Sequence, residues 1–341
     1  MSVTRNFTVA ADSYEHASMQ HGNHGDCSAG GHLVVEGTSA DQSTVHLRFD
    51  QNSIPSGATV SSSTMQLYYY DKLGQSARNP AGQTYYVDRL TETDWVEGTA
   101  CHGSQTGSED WLDRQHSTLA WTTPGGTYTA TDEASATVPS GFGWMSWTVT
   151  NQVQTAQNSG IASHFLVRDS SASDKQARFH SRERGANPAK LAVAFTAVWD
   201  SYNNSARSAQ DDLFQTGENA GYMRGTGFNM GGSYVVGYYD GSGDKRCTEV
   251  IAAVGGTLDS ICNFLGAAAA GTWNAVVFEP GITAPATFGS INSDTHKVIG
   301  IDTFTVEAGA VVPEMPSLRA GMLVAASALV VFIWFLRSAG K

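Results

Sequence analysis

Thr44-Val-His-Leu-Arg-Phe49 and Thr64-Met-Gln-Leu-Tyr-Tyr-Tyr70 are the two stretches that decide the fold. In each, apolar side chains return at every second position, the period of a strand with one buried face. Ile54-Pro-Ser-Gly-Ala58 lies between them and carries turn-forming Pro and Gly. Working outward, further strands are predicted at 83–88, 143–149, 164–168, 177–180 and 190–195. One short helix is predicted over 150–158. No stretch up to residue 198 sustains a long 3.6-residue period. Many short strands joined by Gly- and Ser-rich turns read as an antiparallel sandwich or jelly roll.

Composition narrows the function. The formal net charge is −12 and only 15% of residues are charged, while 36 are glycine. Such a chain repels phosphate backbones, so nucleic acid is excluded as a partner. It suits a soluble surface protein, and its acidic side chains are of the kind that hold calcium. Four cysteines suit an oxidising compartment. Cys247 and Cys262 would close a short loop, leaving Cys27 and Cys101 as the other pair. Three pairings are possible in principle. No Cys-x-x-Cys is present, which argues against a cysteine zinc site.

The motifs between residues 7 and 197 carry a family resemblance. Val45-His-Leu-Arg-Phe-Asp50, Ile54-Pro-Ser-Gly-Ala58 and Met65-Gln-Leu-Tyr68 are followed by Asp94-Trp-Val-Glu-Gly98 and Leu119-Ala-Trp-Thr-Thr-Pro-Gly-Gly126. Arg178-Phe-His-Ser-Arg-Glu183 and Asn187-Pro-Ala-Lys-Leu191 close the series. In this order they resemble the DNRLRE (disaggregatase-related) domain of secreted and surface proteins. The literal DNRLRE string is absent; Ser181-Arg182-Glu183 echoes it. The resemblance implies a jelly-roll β-sandwich, often a carbohydrate-binding module with a structural Ca²⁺.

Sugars stack on aromatic rings beside polar groups. Trp111, Trp121, Trp95 and Arg114 are therefore the candidate ligand-binding residues, with Trp144 and Trp147 weighed below them, since most sandwich tryptophans belong to the core. In a strand, Trp95 and Glu97 would share a face, so a buried Trp with a held carboxylate is the competing reading. Asp12, Asp50 and Glu183 are the candidate calcium ligands, because the ends of a sandwich bring distant carboxylates together. His16, His21, His24 and His32 share a loop with Asp26. That composition suits a transition metal, but their spacings fit no standard site, and solvated histidines are the expectation. Glu109, Asp110, Asp113, Arg114 and His116 surround Trp111 as an acid–base cluster, equally well explained as a solvated loop. No catalytic residue is assigned.

Residues 199–210, polar and small, read as a linker. Residues 211–311 read as a second, smaller, Ig-like β-sandwich and a stalk, with strands at 221–228, 233–240, 271–278 and 302–306 and a hairpin tip at 240–244. Gly225-x-Gly227 lacks the following helix of a dinucleotide fingerprint.

Residues 320–336 form an uncharged apolar run between Arg319 and Arg337. As a helix it would be about 25 Å long, against a hydrocarbon core of roughly 30 Å. A C-terminal transmembrane helix is expected, with the basic end cytoplasmic before any processing and the rest outside. Val312-Pro-Glu-Met-Pro316, the apolar run and the basic end resemble PEP-CTERM and PEF-CTERM sorting signals. That implies cleavage near Pro313-Glu314 by a sortase-like enzyme; a permanent anchor is the alternative. The N-terminus has no leader pattern, so either a leader is missing from the sequence, the preferred reading, or the C-terminal helix itself inserts the protein.

The expectation is an all-β, surface-displayed protein that binds a polysaccharide or cell-envelope glycan. A structural subunit of an envelope, filament or virion, built by self-assembly, is the first alternative. A polysaccharide-degrading enzyme is the second.

Overall fold

The computed structural model describes residues 2–22, 24, 31–37, 41–71, 78–202, 213–215, 220–228, 232–263 and 270–307. The expected membrane helix, the sorting residues Pro313 and Glu314, and Cys27 lie outside the described residues. Among the described residues no helix is long and apolar enough to cross a membrane.

The first unit is an eleven-stranded antiparallel arrangement. β5 (Thr59–Asp71) is its axis. Along its first part β5 pairs with β13 (Lys190–Thr196), and at its end with β12 (Gln176–His180). Its other edge pairs with β10 (Gly143–Thr148). β12 leads through β3 (His32–Glu36) and β4 (Ser43–Phe49) to β11 (Ser163–Asp169), β6 (Thr84–Leu90) and β9 (Tyr128–Thr137). β1 (Val3–Thr8) borders β13, and β2 (Ala11–His16) pairs with β4. Alternation dictates the packing. Met65, Leu67 and Tyr69 point into the same core as Val45, Leu47, Phe49, Phe179 and Leu191. The intervening Gln66, Tyr68 and Tyr70 stay half-exposed.

β4 is the exception, because both of its faces are covered. A long segment, 91–127, lies over Thr44 and His46. It holds the two-stranded β7 (Asp113–Gln115) and β8 (Leu119–Ala120). Ala11, Leu90, Trp95, Trp121 and Leu166 form a small second core there.

The helix α1 (Thr150–Asn158) lies where expected, with Val153 and Ala156 buried. Its Gln157 amide donates to the carbonyls of Ile54 and Pro55. This contact locks the Ile54–Ala58 turn beside the core.

The remaining strands form two sheets. One orders β14 (Trp199–Tyr202), β16 (Ala220–Thr226) and β19 (Thr257–Asn263). The other orders β15 (Leu213–Gln215), β21 (Val298–Glu307), β20 (Gly271–Phe278), β17 (Ser233–Tyr239) and β18 (Lys245–Ala252). Trp199, Met223, Val236, Tyr238, Leu258, Trp273 and Phe304 share one core between them. The linker expectation is corrected over 199–202, which form β14 with Trp199 buried; burying that indole outweighs the polar character of its neighbours. This second unit packs on the first. Val235, Tyr239, Val276 and Phe278 join the first unit's core cluster. Arg5 pairs with Glu279 at 2.6 Å, and Asn6 is held by Asp294.

Candidate functional site

The outer face of β5 and its neighbours gathers aromatic rings and cations. Trp144 on β10 lies opposite Tyr68 in register, with ring centroids 5.3 Å apart. The His180 ring on β12 lies tilted 4.8 Å from Tyr68 and edge-on 4.7 Å from Tyr70. His32 on β3 continues the row as the register partner of His180. Lys190 places its ammonium 3.9 Å from the Trp144 centroid, and the Arg184 guanidinium lies 4.1 Å from that of Tyr70. Arg178 stands near Asp71 at 3.8 Å. Nδ1–H of His180 donates to the Ala186 carbonyl. Burial, with the Arg184 charge beside it, lowers the His180 pKa and keeps the ring neutral. Burial, with Arg178, His102 and Arg184 nearby, brings His32 down to about 4. The positive charge here therefore belongs to the lysine and arginines.

Of these residues only Trp144 is weighed for ligand contact from the sequence; Tyr68, Tyr70, Lys190, Arg178, Arg184 and His180 are not. The available signal was the odd-even split of Gln66-Leu-Tyr-Tyr-Tyr70, which turns two tyrosines outward beside Trp144.

The tryptophans expected to stack on sugar are corrected. Trp95, Trp121 and Trp111 are 2%, 4% and 8% exposed. Trp95 Nε1 donates to His164, and Trp121 Nε1 to the Asp110 carbonyl. The Trp111 ring lies against Gly125, whose added Cβ would meet it at 2.5 Å. All three pack inward because the 91–127 segment needs apolar mass to cover β4. Arg114 is engaged by Glu92 and Asp94 and donates to the Ala120 carbonyl.

The carboxylates gather around β2. Asp12, Glu97 and Glu183 bring one oxygen each to within 4.8 Å of one another. Arg182 binds all three: its backbone N–H donates to Asp12, Nε to Glu183 and Nη2 to Glu97. When all three are ionised, three carboxylates against one guanidinium leave an excess of two negative charges. Burial, then Glu183 and Glu97, push the Asp12 pKa well up, and burial brings Glu97 to about 7. Asp12 Oδ1 and Glu183 Oε2 are buried and accept no hydrogen bond from the described residues. An all-oxygen set with two unused buried acceptors fits Ca²⁺ in kind, with the rest of the shell coming from elsewhere. Asp50 does not join this set. It is half-exposed and pairs with Arg48 at 3.2 Å, and Glu97 takes its place.

Glu15, His46 and Glu109 form a second cluster, fully buried. Nε2 of His46 meets the Gly125 carbonyl at 3.1 Å, so it carries the proton. Nδ1 then faces Glu109 at 2.8 Å. Burial lowers His46 to about 4 and pushes both carboxyls up, so a proton on Glu109 bridges the pair. These carboxyls are closed to any glycan.

Cys101 is disulfide-bonded. Cys247 on β18 and Cys262 on β19 stand as thiols rather than the expected disulfide. They are hydrogen-bonded to each other, and that contact with burial raises the Cys262 pKa. A polar hollow of about 320 Å³ near α1 is lined by Gln51, Asn52, Ser56 and Gln157, without ring faces or charges.

Residues 102–195 match the sequence profile of carbohydrate-binding module family 96. The matched segment contains Trp144, Arg178, His180, Arg184 and Lys190. It supports a carbohydrate-related role. No curated protein matches the chain. Among solved structures, the β-glucuronidase of Parabacteroides merdae is 9% identical, covering 86% of this chain and 30% of that one, at a TM-score of 0.21. The glycoside hydrolase domain of Endo-D from Streptococcus pneumoniae R6 is 10% identical, covering 89% and 37%, at 0.16. The chain thus spans about a third of the length of these structures. Scores this low carry no conclusion about fold or activity.

Proposed function

We propose that this protein binds a polysaccharide across the Trp144–Tyr68–Tyr70 face, and that the glycan bears carboxylate or sulfate groups. One observation carries the reading: Lys190 and Arg184 each lie over an aromatic ring on that face. An anionic sugar draws these cations to its charged groups and frees the ring faces for its C–H surface. A neutral sugar must displace them without that compensation. The match to a carbohydrate-binding family over residues 102–195, which hold β10, β12 and β13 of this face but not β5, supports a carbohydrate ligand.

Surface display belongs to the same proposal. The DNRLRE-like order of motifs, the C-terminal apolar run and the sorting-signal pattern at Pro313-Glu314 are what support a location at the outer cell surface. Ca²⁺ at Asp12, Glu97 and Glu183 ties β2 to the 91–127 segment and to the turn after β12.

The decisive experiment titrates the full chain with carboxylated, sulfated and neutral polysaccharides. Saturable binding to an anionic class, lost in Trp144→Ala, supports the proposal. Binding to neutral glycans alone, or binding indifferent to Trp144→Ala, refutes it.

One feature favours a structural subunit. β18 is an edge strand with Val250 70% exposed, and Val254 beyond it is 78% exposed. Such an edge pairs readily with another chain. Sedimentation of the full chain tests this reading: a concentration-dependent oligomer abolished by Val250→Lys supports it.

A further inference from the structure

His21 follows β2 and reaches the 91–127 segment at a different place from His24 of the same loop, which meets His102. There it meets Asp110, Asp113 and His116. One ligand atom from each lies within 4.8 Å of the other three. We propose that these four side chains bind one first-row divalent transition metal, with Zn²⁺ the best fit.

The donor set is two imidazoles and two carboxylates, the number and kind that zinc takes in a tetrahedral site. Calcium is disfavoured because half the set is nitrogen. The distances point to a shared centre. Nδ1 of His21 lies 3.5 Å from Asp110 Oδ2, and Nδ1 of His116 lies 3.5 Å from Asp113 Oδ2. Both exceed an ordinary charged hydrogen bond. They are close to the edge of a tetrahedron with ligands about 2.0 Å from zinc, roughly 3.3 Å. The third edge, His116 to Asp110 at 2.6 Å, is a hydrogen bond that must open by under 1 Å to admit the ion.

The site is held in advance from behind. Asp110 is 1% exposed, and its Oδ1 accepts the backbone N–H groups of Leu112 and Asp113. That leaves Oδ2 directed at both imidazoles. Trp121 anchors the Asp110 carbonyl, and backbone bonds between Gly107 and His116 and between His116 and Ser108 clamp the His116 position. His21 is half-exposed, which gives an ion a path in. The two rings meet edge-on at 5.0 Å. A metal here fastens the loop after β2 to the segment that covers β4. It is separate from the oxygen-only cluster at Asp12, Glu97 and Glu183.

The test is titration of the metal-stripped full chain with Zn²⁺ alone, then with Co²⁺ as a spectroscopic substitute. One equivalent of Zn²⁺ is expected, and Co²⁺ should give the intense visible bands of a four-coordinate N/O site. His21→Ala and His116→Ala should each weaken Zn²⁺ at least tenfold and abolish the cobalt bands. Glu183→Gln should change neither. His21 sits on an open loop, so its variant keeps the fold if His116→Ala does not. No saturable Zn²⁺ binding overturns the proposal. So does binding unchanged in both histidine variants, since the ion then sits on the other histidines or the thiols.

Discussion

Lys190 and Trp144 come from strands on opposite sides of β5, yet the lysine ammonium lies 3.9 Å over the indole. The contact spans Gln66, the register partner of Lys190, and closes the aromatic face at one end. Half-exposed cation–π pairs are worth about 1 kcal/mol, so an anionic ligand can break this one. Lys190→Ala should therefore weaken binding to a carboxylated polysaccharide by roughly tenfold at low salt. The loss should shrink as salt screens the charge. Calorimetry at two ionic strengths checks this. A Lys190→Ala variant that binds more tightly at both would show that the lysine only obstructs the ring.

The buried and half-exposed tryptophans should separate cleanly in mutagenesis. Trp95→Ala empties a core position and breaks the bond to His164, and should cost about 3–5 kcal/mol of stability. Trp144→Ala should cost much less stability and most of the glycan affinity. Paired chemical denaturation and binding measurements decide the matter. Equal stability losses would show that Trp144 is a core residue.

Gly125-Gly126, the end of the motif opening at Leu119, has a mechanical reason. Both have positive φ, +80° and +111°. A Cβ on Gly126 would fall 2.6 Å from both His46 Nε2 and Leu166 Cδ1. The His46–Glu109 pair thus depends on a backbone with no side chain. Gly126→Ala should cost more than about 2 kcal/mol, by strain and by disturbing a buried pair. A thermal melt unchanged within error would contradict the packing described.

Period two in the sequence located most strands of the first unit, and α1 falls on the expected 150–158, because alternation and helix-compatible runs are local signals. β9, with Asp132 and Glu133 amid Thr and Ala, was not visible, since it is an edge strand with little apolar patterning. β18 and β19 were missed for a related reason: their pairing is set by the hairpin turn and by a core shared with distant strands. Asp12 and Glu183 were legible as neighbours at a sandwich end, but Glu97 displaced Asp50 because the long excursion of residues 91–127 over β4 cannot be placed from periodicity. The tryptophans misled for the same reason. Polar neighbours suggested exposure, whereas the segment that carries them folds back onto the sheet.

The Asp12–Glu97–Glu183 cluster sets a pH dependence whose sign differs from that of an ordinary salt bridge. Glu97 is raised from 4.5 to about 7, chiefly by burial, and Asp12 is raised in the same direction. Between these values the folded chain holds more protons than the unfolded one, so without calcium stability falls as pH rises from about 4.5 to about 7. Solvent screening limits the Glu97 share to about 2 kcal/mol. Calcium competes with those protons, so its stabilising effect should grow over the same interval. Melting the full chain at pH 5 and pH 7.5, with Ca²⁺ and with chelator, reads both effects. The expected outcome is a small calcium shift at pH 5 and a larger one at pH 7.5, lost in Glu183→Gln. A calcium shift of equal size at both pH values, or one retained in Glu183→Gln, would move the ion away from this cluster.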